Sequence, residues 1–139
     1  MNLNKQTDIS LRVLMHLALN PDELSTISEI ADAHNISRNH LMKVVHQLAK
    51  LGYVKSVQGR GGGIRLGCPA STINVGKVVR ATETTLNIVD CVAFDCLFTN
   101  KCTLKTALNQ ATDAFMSVLD DYTIADLTKN RRQLLKLIS

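Results

Sequence analysis

Three of the four cysteines fall within twelve residues, Cys91-Val-Ala-Phe-Asp-Cys96-Leu-Phe-Thr-Asn-Lys-Cys102, a C-x4-C-x5-C spacing. Thiolates this close in sequence can converge on one metal centre. A structural zinc site takes four ligands and is usually built from paired C-x2-C or Cys/His units. No such pair is present, and His16, His34, His40 and His46 all lie in the first 46 residues. An iron–sulfur cluster tolerates wider spacing, because its iron atoms are themselves separated. Three cysteines leave one iron position for a non-cysteine ligand or for solvent. That incompleteness makes a cluster accessible and suits sensing better than electron storage. Asp8, Asp90 and Asp95 are the candidate oxygen ligands, and spacing does not rank them. A thiol switch, a zinc site, or three buried small hydrophobes stay open as alternatives. Cys68, between Gly67 and Pro69, is expected to be structural.

A second chemistry is written in charge. Between Asp32 and Glu83 there is no Asp or Glu, while Arg38, Lys43, Lys50, Lys55, Arg60, Arg65, Lys77 and Arg80 all occur there. Eight basic residues without an acid over fifty positions make a local field far stronger than the net charge of +4 implies. Such a field attracts phosphate backbones.

These residues need elements to hold them. Ile9, Leu11, Val13, Leu14, Leu17 and Ala18 are helically spaced from about Asn4 to Leu19, and Asn20-Pro21-Asp22 ends that helix. Thr26-Ile-Ser-Glu29 is a capping box for a short helix from Ile27 to about His34. Ser37 caps the next helix, Arg38 to about Leu51, whose apolar set is Leu41, Val44, Val45, Leu48 and Leu51. Gly52 closes it. Two helices joined by a short turn, the second basic, read as a helix-turn-helix. The period then changes: Tyr53–Val57 and Ile64–Leu66 have strand character around Gln58-Gly59-Arg60-Gly61-Gly62-Gly63. That hairpin, about 53–67, is the wing of a winged helix.

Residues exposed at the start of the recognition helix are the candidate base readers. Ser37, Arg38, Asn39, His40 and Lys43 fall there, with Arg38 suited to guanine and Asn39 to adenine or phosphate. Lys50, Lys55, Arg60, Gly61, Gly62 and Arg65 are the candidate backbone or minor-groove contacts, the glycines permitting close approach.

The second half starts after Pro69. Asn74 caps a helix from Val75 to about Thr82, and Leu86–Val89 is expected to be extended. From Thr103 to about Leu127 the residues Leu104, Leu108, Ala111, Phe115, Val118, Tyr122 and Ala125 step by four and three. That is an a/d seam, the mark of a dimerisation helix. A short helix from Arg131 to Leu137 ends the chain. The expected fold is mainly α: a winged helix-turn-helix region over 1–83, a cysteine-containing cluster-binding loop over 84–102, and a dimerisation helix with a C-terminal helix over 103–139.

Composition bounds the rest. The 139 residues fit one domain, and 45% hydrophobic with 20% charged residues provides a packed core. No signal-peptide core opens the chain and no apolar run approaches the roughly 20 residues of a bilayer span. A cytoplasmic protein with reduced thiols and no membrane contact is expected. There is no GxxxxGK[ST] loop, no catalytic triad pattern and no second cluster motif, so no enzyme or electron carrier is expected.

The combination resembles the IscR/NsrR family of dimeric winged-helix regulators that hold an iron–sulfur cluster. The resemblance spans nearly the whole chain. It rests on Thr7-Asp8, Ile36-Ser37-Arg38-Asn39-His40-Leu41, Gly59-Arg60-Gly61-Gly62-Gly63-Ile64-Arg65-Leu66, the cysteine trio, and Tyr122-Thr123-Ile124-Ala125-Asp126-Leu127. IscR-like members carry a histidine shortly after the third cysteine; this chain has none, and its first cysteine gap is four residues. Both departures point to the family's nitric oxide-sensing members. The resemblance implies a homodimer on double-stranded operator DNA, repressing until nitric oxide acts on the cluster. It also implies a [4Fe–4S] cluster, with [2Fe–2S] as the alternative, held by Cys91, Cys96 and Cys102 with Asp8 of the partner subunit as fourth ligand. A regulator of the same fold answering to iron–sulfur status or oxidative stress, or a cluster-free thiol-switch or zinc protein, is the alternative.

Overall fold

Local capping chemistry sets most of the helix boundaries, in the computed structural model that describes residues 1–139. Helix α1 runs Lys5–Leu19, and the Asn4 side chain accepts from Thr7 N–H at its start. Helix α2 (Ile27–His34) has the full Thr26/Glu29 capping box and stops at Asn35 in the left-handed conformation. Helix α3 (Arg38–Lys50) is capped by Ser37, whose oxygen accepts from His40 N–H. Helix α4 (Val75–Thr82) is capped by Asn74. A side-chain N-cap contributes about 1 kcal/mol, so each boundary follows from one residue and its neighbour three positions on. Gly52, at φ 82°, turns the chain out of α3 in the left-handed region that favours glycine.

Strands β1 (Val54–Val57) and β2 (Gly63–Leu66) form an antiparallel hairpin, with Val54 opposite Leu66 and Lys55 opposite Arg65. Ser25 extends it by a bridge to Ile64. A single 3-10 turn at Ala70–Thr72 leads into α4.

The core gathers around α1. Val13, Leu14 and Leu17 pack with Ile30 of α2, Leu41, Val44 and Leu48 of α3, Ile64 of the wing, and Val78 and Val79 of α4. Burial of Val44, Val45 and Leu48 aims the opposite face of α3 at solvent. The Thr7 and Thr82 hydroxyls bond to each other at 2.9 Å inside this core and tie α1 to α4.

The chain is mainly α, as expected, but its second half departs from expectation in two places. Leu86–Val89 is irregular and joins no strand. The long helix is broken: α5 covers Thr103–Asp120 and α6 only Ile124–Leu127. The cause is tertiary. Val75 N–H bonds to Tyr122 O and Ile124 N–H to Ile73 O, both at 2.9 Å, so the backbone at Tyr122–Ile124 serves α4 instead of its own helix. Thr123 and Asp126 then form a new capping box. Tyr122 and Ala125 are therefore not the last two positions of one helical seam. Helix α7 (Arg131–Ile138) returns to α1, where Arg131 donates to Leu19 O at 2.7 Å. No helix is long and apolar enough to cross a membrane.

Candidate functional site

Burial of its apolar face leaves α3 with one solvent face. Arg38, Asn39, Met42, Lys43, His46 and Lys50 are exposed on it, at steps of three and four, and His40 is half-buried. Met42, 56% exposed, and His46 add to the residues expected from sequence. Their signal is positional, since each lies three or four positions from Asn39 or Lys43; charge alone does not mark them. An exposed Met next to basic side chains fits apolar contact with a thymine methyl in a major groove. Ser37 differs from its neighbours, since its oxygen already accepts from His40 N–H at 3.3 Å. Its hydroxyl hydrogen remains free to donate.

In the wing, Lys55 and Arg65 are direct cross-strand partners and both are exposed. Like charges placed opposite each other destabilise a hairpin. The pair is the arrangement expected of a surface that meets a polyanion. Arg60 stands at the tip between Gly59 (φ 93°) and Gly61 (φ 74°), both left-handed. Gly62 N–H closes the turn on Gly59 O at 3.0 Å.

Arg80 leaves this basic surface. Its guanidinium grips Asp120 of α5 through two nitrogens, the longer contact being 2.8 Å. The bond raises the Arg80 pKa and holds the Asp120 carboxyl below its ordinary range. The acid-free stretch in sequence is thus not acid-free in space, because its partner lies forty residues on.

The cysteine trio lies in the loop that leads into α5. Asp90 Oδ1 accepts from Val92 and Ala93 N–H, Cys96 N–H bonds to Cys91 O at 3.1 Å, and Asp95 takes a left-handed turn (φ 46°). Cys102 is the N-cap of α5, its Sγ accepting from Lys105 N–H at 3.4 Å. Cys91, Cys96 and Cys102 are free, half-buried, and line one depression of about 300 Å³ with Ile88, Val89, Phe94 and Leu104. Three soft thiols on one apolar wall fit an iron–sulfur cluster in donor type. The sulfurs do not converge to a ready-made ligand set of three in this chain. Cys68 is remote in sequence and packs against the main core. Asp8 is on α1 with its carboxylate 2.9 Å from Arg12, an exposed pair one helical turn apart. Such a pair is worth only a few tenths of a kcal/mol, so Asp8 is cheaply released.

Helix α5 has two faces. Met116 is its only buried residue and, with half-buried Leu119, faces the body. Leu104 (64%), Phe115 (39%) and Val118 (57%) are exposed, as is Ala111. Of the expected seam, these four form an uncovered stripe, and half-buried Leu108 lines a depression with residues 87–92.

The sequence profile described as "Rrf2: Iron-dependent Transcriptional regulator" matches residues 3–130. The chain is 51% identical over 144 residues to the HTH-type transcriptional regulator NsrR of Bacillus subtilis (strain 168), covering 99% of this chain and 97% of that protein. It is 48% identical over 143 residues to the protein of the same description from Bacillus licheniformis, covering both chains in full. Among solved structures, it is similar to one described as "The Structure of CymR (YrzC) the Global Cysteine Regulator of B. subtilis", with TM-score 0.78 and 26% identity over 94% of this chain and 98% of that one.

Proposed function

The chain belongs to the Rrf2 family of transcriptional regulators, a non-enzyme class, and from that premise we propose that it is a cytoplasmic, homodimeric repressor that answers to nitric oxide through an iron–sulfur cluster. One observation carries the reading. The three cysteines line a single depression at the head of α5, the same helix whose uncovered stripe suits a second copy of the chain.

The dimer reads two half-sites with two copies of α3 in successive major grooves. Arg38 pairs with a guanine edge and Asn39 with adenine or phosphate, while His40 and Lys43 flank them. Lys50, Lys55, Arg60 and Arg65 neutralise phosphates, and the Gly61-Gly62 turn lets the wing lie close to the backbone. Ser37 holds the first turn of α3 and donates its hydroxyl outward. Leu104, Ala111, Phe115 and Val118 bury against the partner's equivalent stripe.

Cys91, Cys96 and Cys102 are the cluster's ligands, with a [4Fe–4S] form favoured over [2Fe–2S], and Asp8 of the partner subunit is the fourth. When bound, the cluster supplies iron that reacts with nitric oxide. The chain's own part is positional. Asp8 sits in the first turns of α1, against which α3 packs, and Cys102 caps α5. Ligands on both helices make the separation of the two readers depend on whether those ligands are held.

Purification without oxygen, followed by a visible spectrum and iron analysis, tests the reading. Brown protein with iron in proportion to the cysteine trio is expected. A colourless, iron-free protein that binds its operator fully contradicts it and favours the thiol-switch alternative.

A further inference from the structure

One joint connects α5 to the reader, and its chemistry is specific. Asp120, the last residue of α5, receives Arg80 through both carboxylate oxygens. Its backbone carbonyl accepts from Asn74 Nδ2 at 2.6 Å, and Asn74 in turn caps α4 through Lys77 N–H. Below the ion pair lies Gly76, buried inside α4. A Cβ there would overlap the Asp120 carboxylate and crowd the Arg80 guanidinium. Gly76 is the second residue of α4, and its lack of a Cβ leaves the space that this carboxylate occupies. Beyond the joint, α5 rests on the body through Met116 and Leu119.

The position of this joint matters more than its strength. Helix α5 has 18 residues, about 27 Å at 1.5 Å per residue, with the cysteines at one end and Asp120 at the other. Arg80 and Asp120 side chains are 44% and 40% exposed, and exposed ion pairs add little stability. A bidentate carboxylate–guanidinium fork does, however, fix orientation.

We propose that Arg80 and Asp120, seated over Gly76, are a positioning clasp that sets the angle of α5 on the reader and thereby the half-site spacing that a dimer accepts. The inference rests on the DNA-reading dimer described above. It assigns Arg80 to geometry and removes it from the phosphate-contacting set to which its place in the basic stretch would give it.

The test uses the full chain and a duplex recovered by the wild-type protein from a randomised DNA pool. Copies of that duplex with the half-sites moved apart or together by single base pairs complete the set. Wild-type protein is expected to discriminate sharply among spacings. Asp120→Asn should lose roughly 3- to 30-fold in affinity at the preferred spacing, with the spacing profile flattened and the salt dependence unchanged. Gly76→Ala should reproduce that profile by displacing the carboxylate. In an Asp120→Ala background, Gly76→Ala should cost nothing further, because the group it collides with is gone. Exchange of the two charges, Arg80→Asp with Asp120→Arg, should restore part of the discrimination. A wild-type spacing profile in Asp120→Asn overturns the clasp. So does an Arg80→Ala protein whose only change is a salt slope reduced by about one, the signature of a lost phosphate contact. Wild-type protein that selects no duplex at all overturns instead the DNA reading beneath the proposal.

Discussion

The reader and the cysteine half of this molecule are built on opposite terms. Every residue of the main core except Met116 and Ile124 lies within 1–83, so α5 and α6 only close a core that the reader has already assembled. The stretch from Cys91 to Cys102 buries no residue at all, and it exposes Val92 (85%), Phe94 (83%), Leu97 (97%) and Phe98 (72%). A region that supplies sixteen of the eighteen core side chains is held chiefly by its own packing. A region that leaves four large apolar side chains in water needs something to cover or organise it. Under the proposed function, a metal centre and a second copy of the chain fill that need.

The contrast predicts different failures in the two halves. The largest effect belongs to the thiols. Cys91→Ala, Cys96→Ala and Cys102→Ala should each abolish the visible absorption of anaerobically prepared protein while far-UV circular dichroism stays unchanged, and Cys68→Ala should keep the colour. A colourless Cys68→Ala protein would move that residue into the site.

Next comes packing. Leu48→Ala, at a side chain with 0% exposure, should cost about 2–5 kcal/mol in urea unfolding. Leu97→Ala should stay within about 0.5 kcal/mol for the cluster-free chain. Equal losses at the two positions would erase the contrast.

Within the reader, Arg38→Ala should relax base preference by roughly 1–3 kcal/mol. Arg60→Ala should weaken binding to all duplexes and lower the salt slope by about one. A base-specific effect at Arg60 would contradict its assignment to the wing tip.

The smallest effect concerns His16 and His34, whose rings meet at 3.1 Å between α1 and α2. Burial lowers both pKa values; the neighbouring His34 lowers His16 further while Glu29 opposes it, and Arg12 lowers His34. With folded values below the ordinary 6.5, the unfolded chain binds more protons as pH falls through that point. Stability should therefore decline on acidification below it. Melting temperature against pH should show a shallower decline in His16→Gln than in wild type; an unchanged slope would remove the pair from the pH response.

Much of the reader was legible in sequence because its boundaries are local. Thr26 with Glu29, Ser37, Asn74 and Gly52 each act within a few residues, and the structure puts a helix end at each. What escaped is what depends on distant partners. The seam through Tyr122 and Ala125 keeps its period, yet the helix ends at Asp120 because α4 takes the backbone of Tyr122. The Thr123/Asp126 capping box was the readable sign of that break. Arg80 read as one more free cation because nothing local reveals Asp120 as its partner. The cysteine spacing offered candidate donors, and the depression they share needed Phe94, Leu104 and the turn at Asp95 to be folded first.

Coupling between the two halves can be followed in a single titration. Protein prepared without oxygen is titrated with nitric oxide while its visible spectrum and its affinity for a selected operator duplex are followed together. Operator affinity should fall in step with the spectral change, and cysteine-substituted protein should show no response to nitric oxide. Operator affinity that stays constant while the spectrum changes would contradict a sensor joined to a reader.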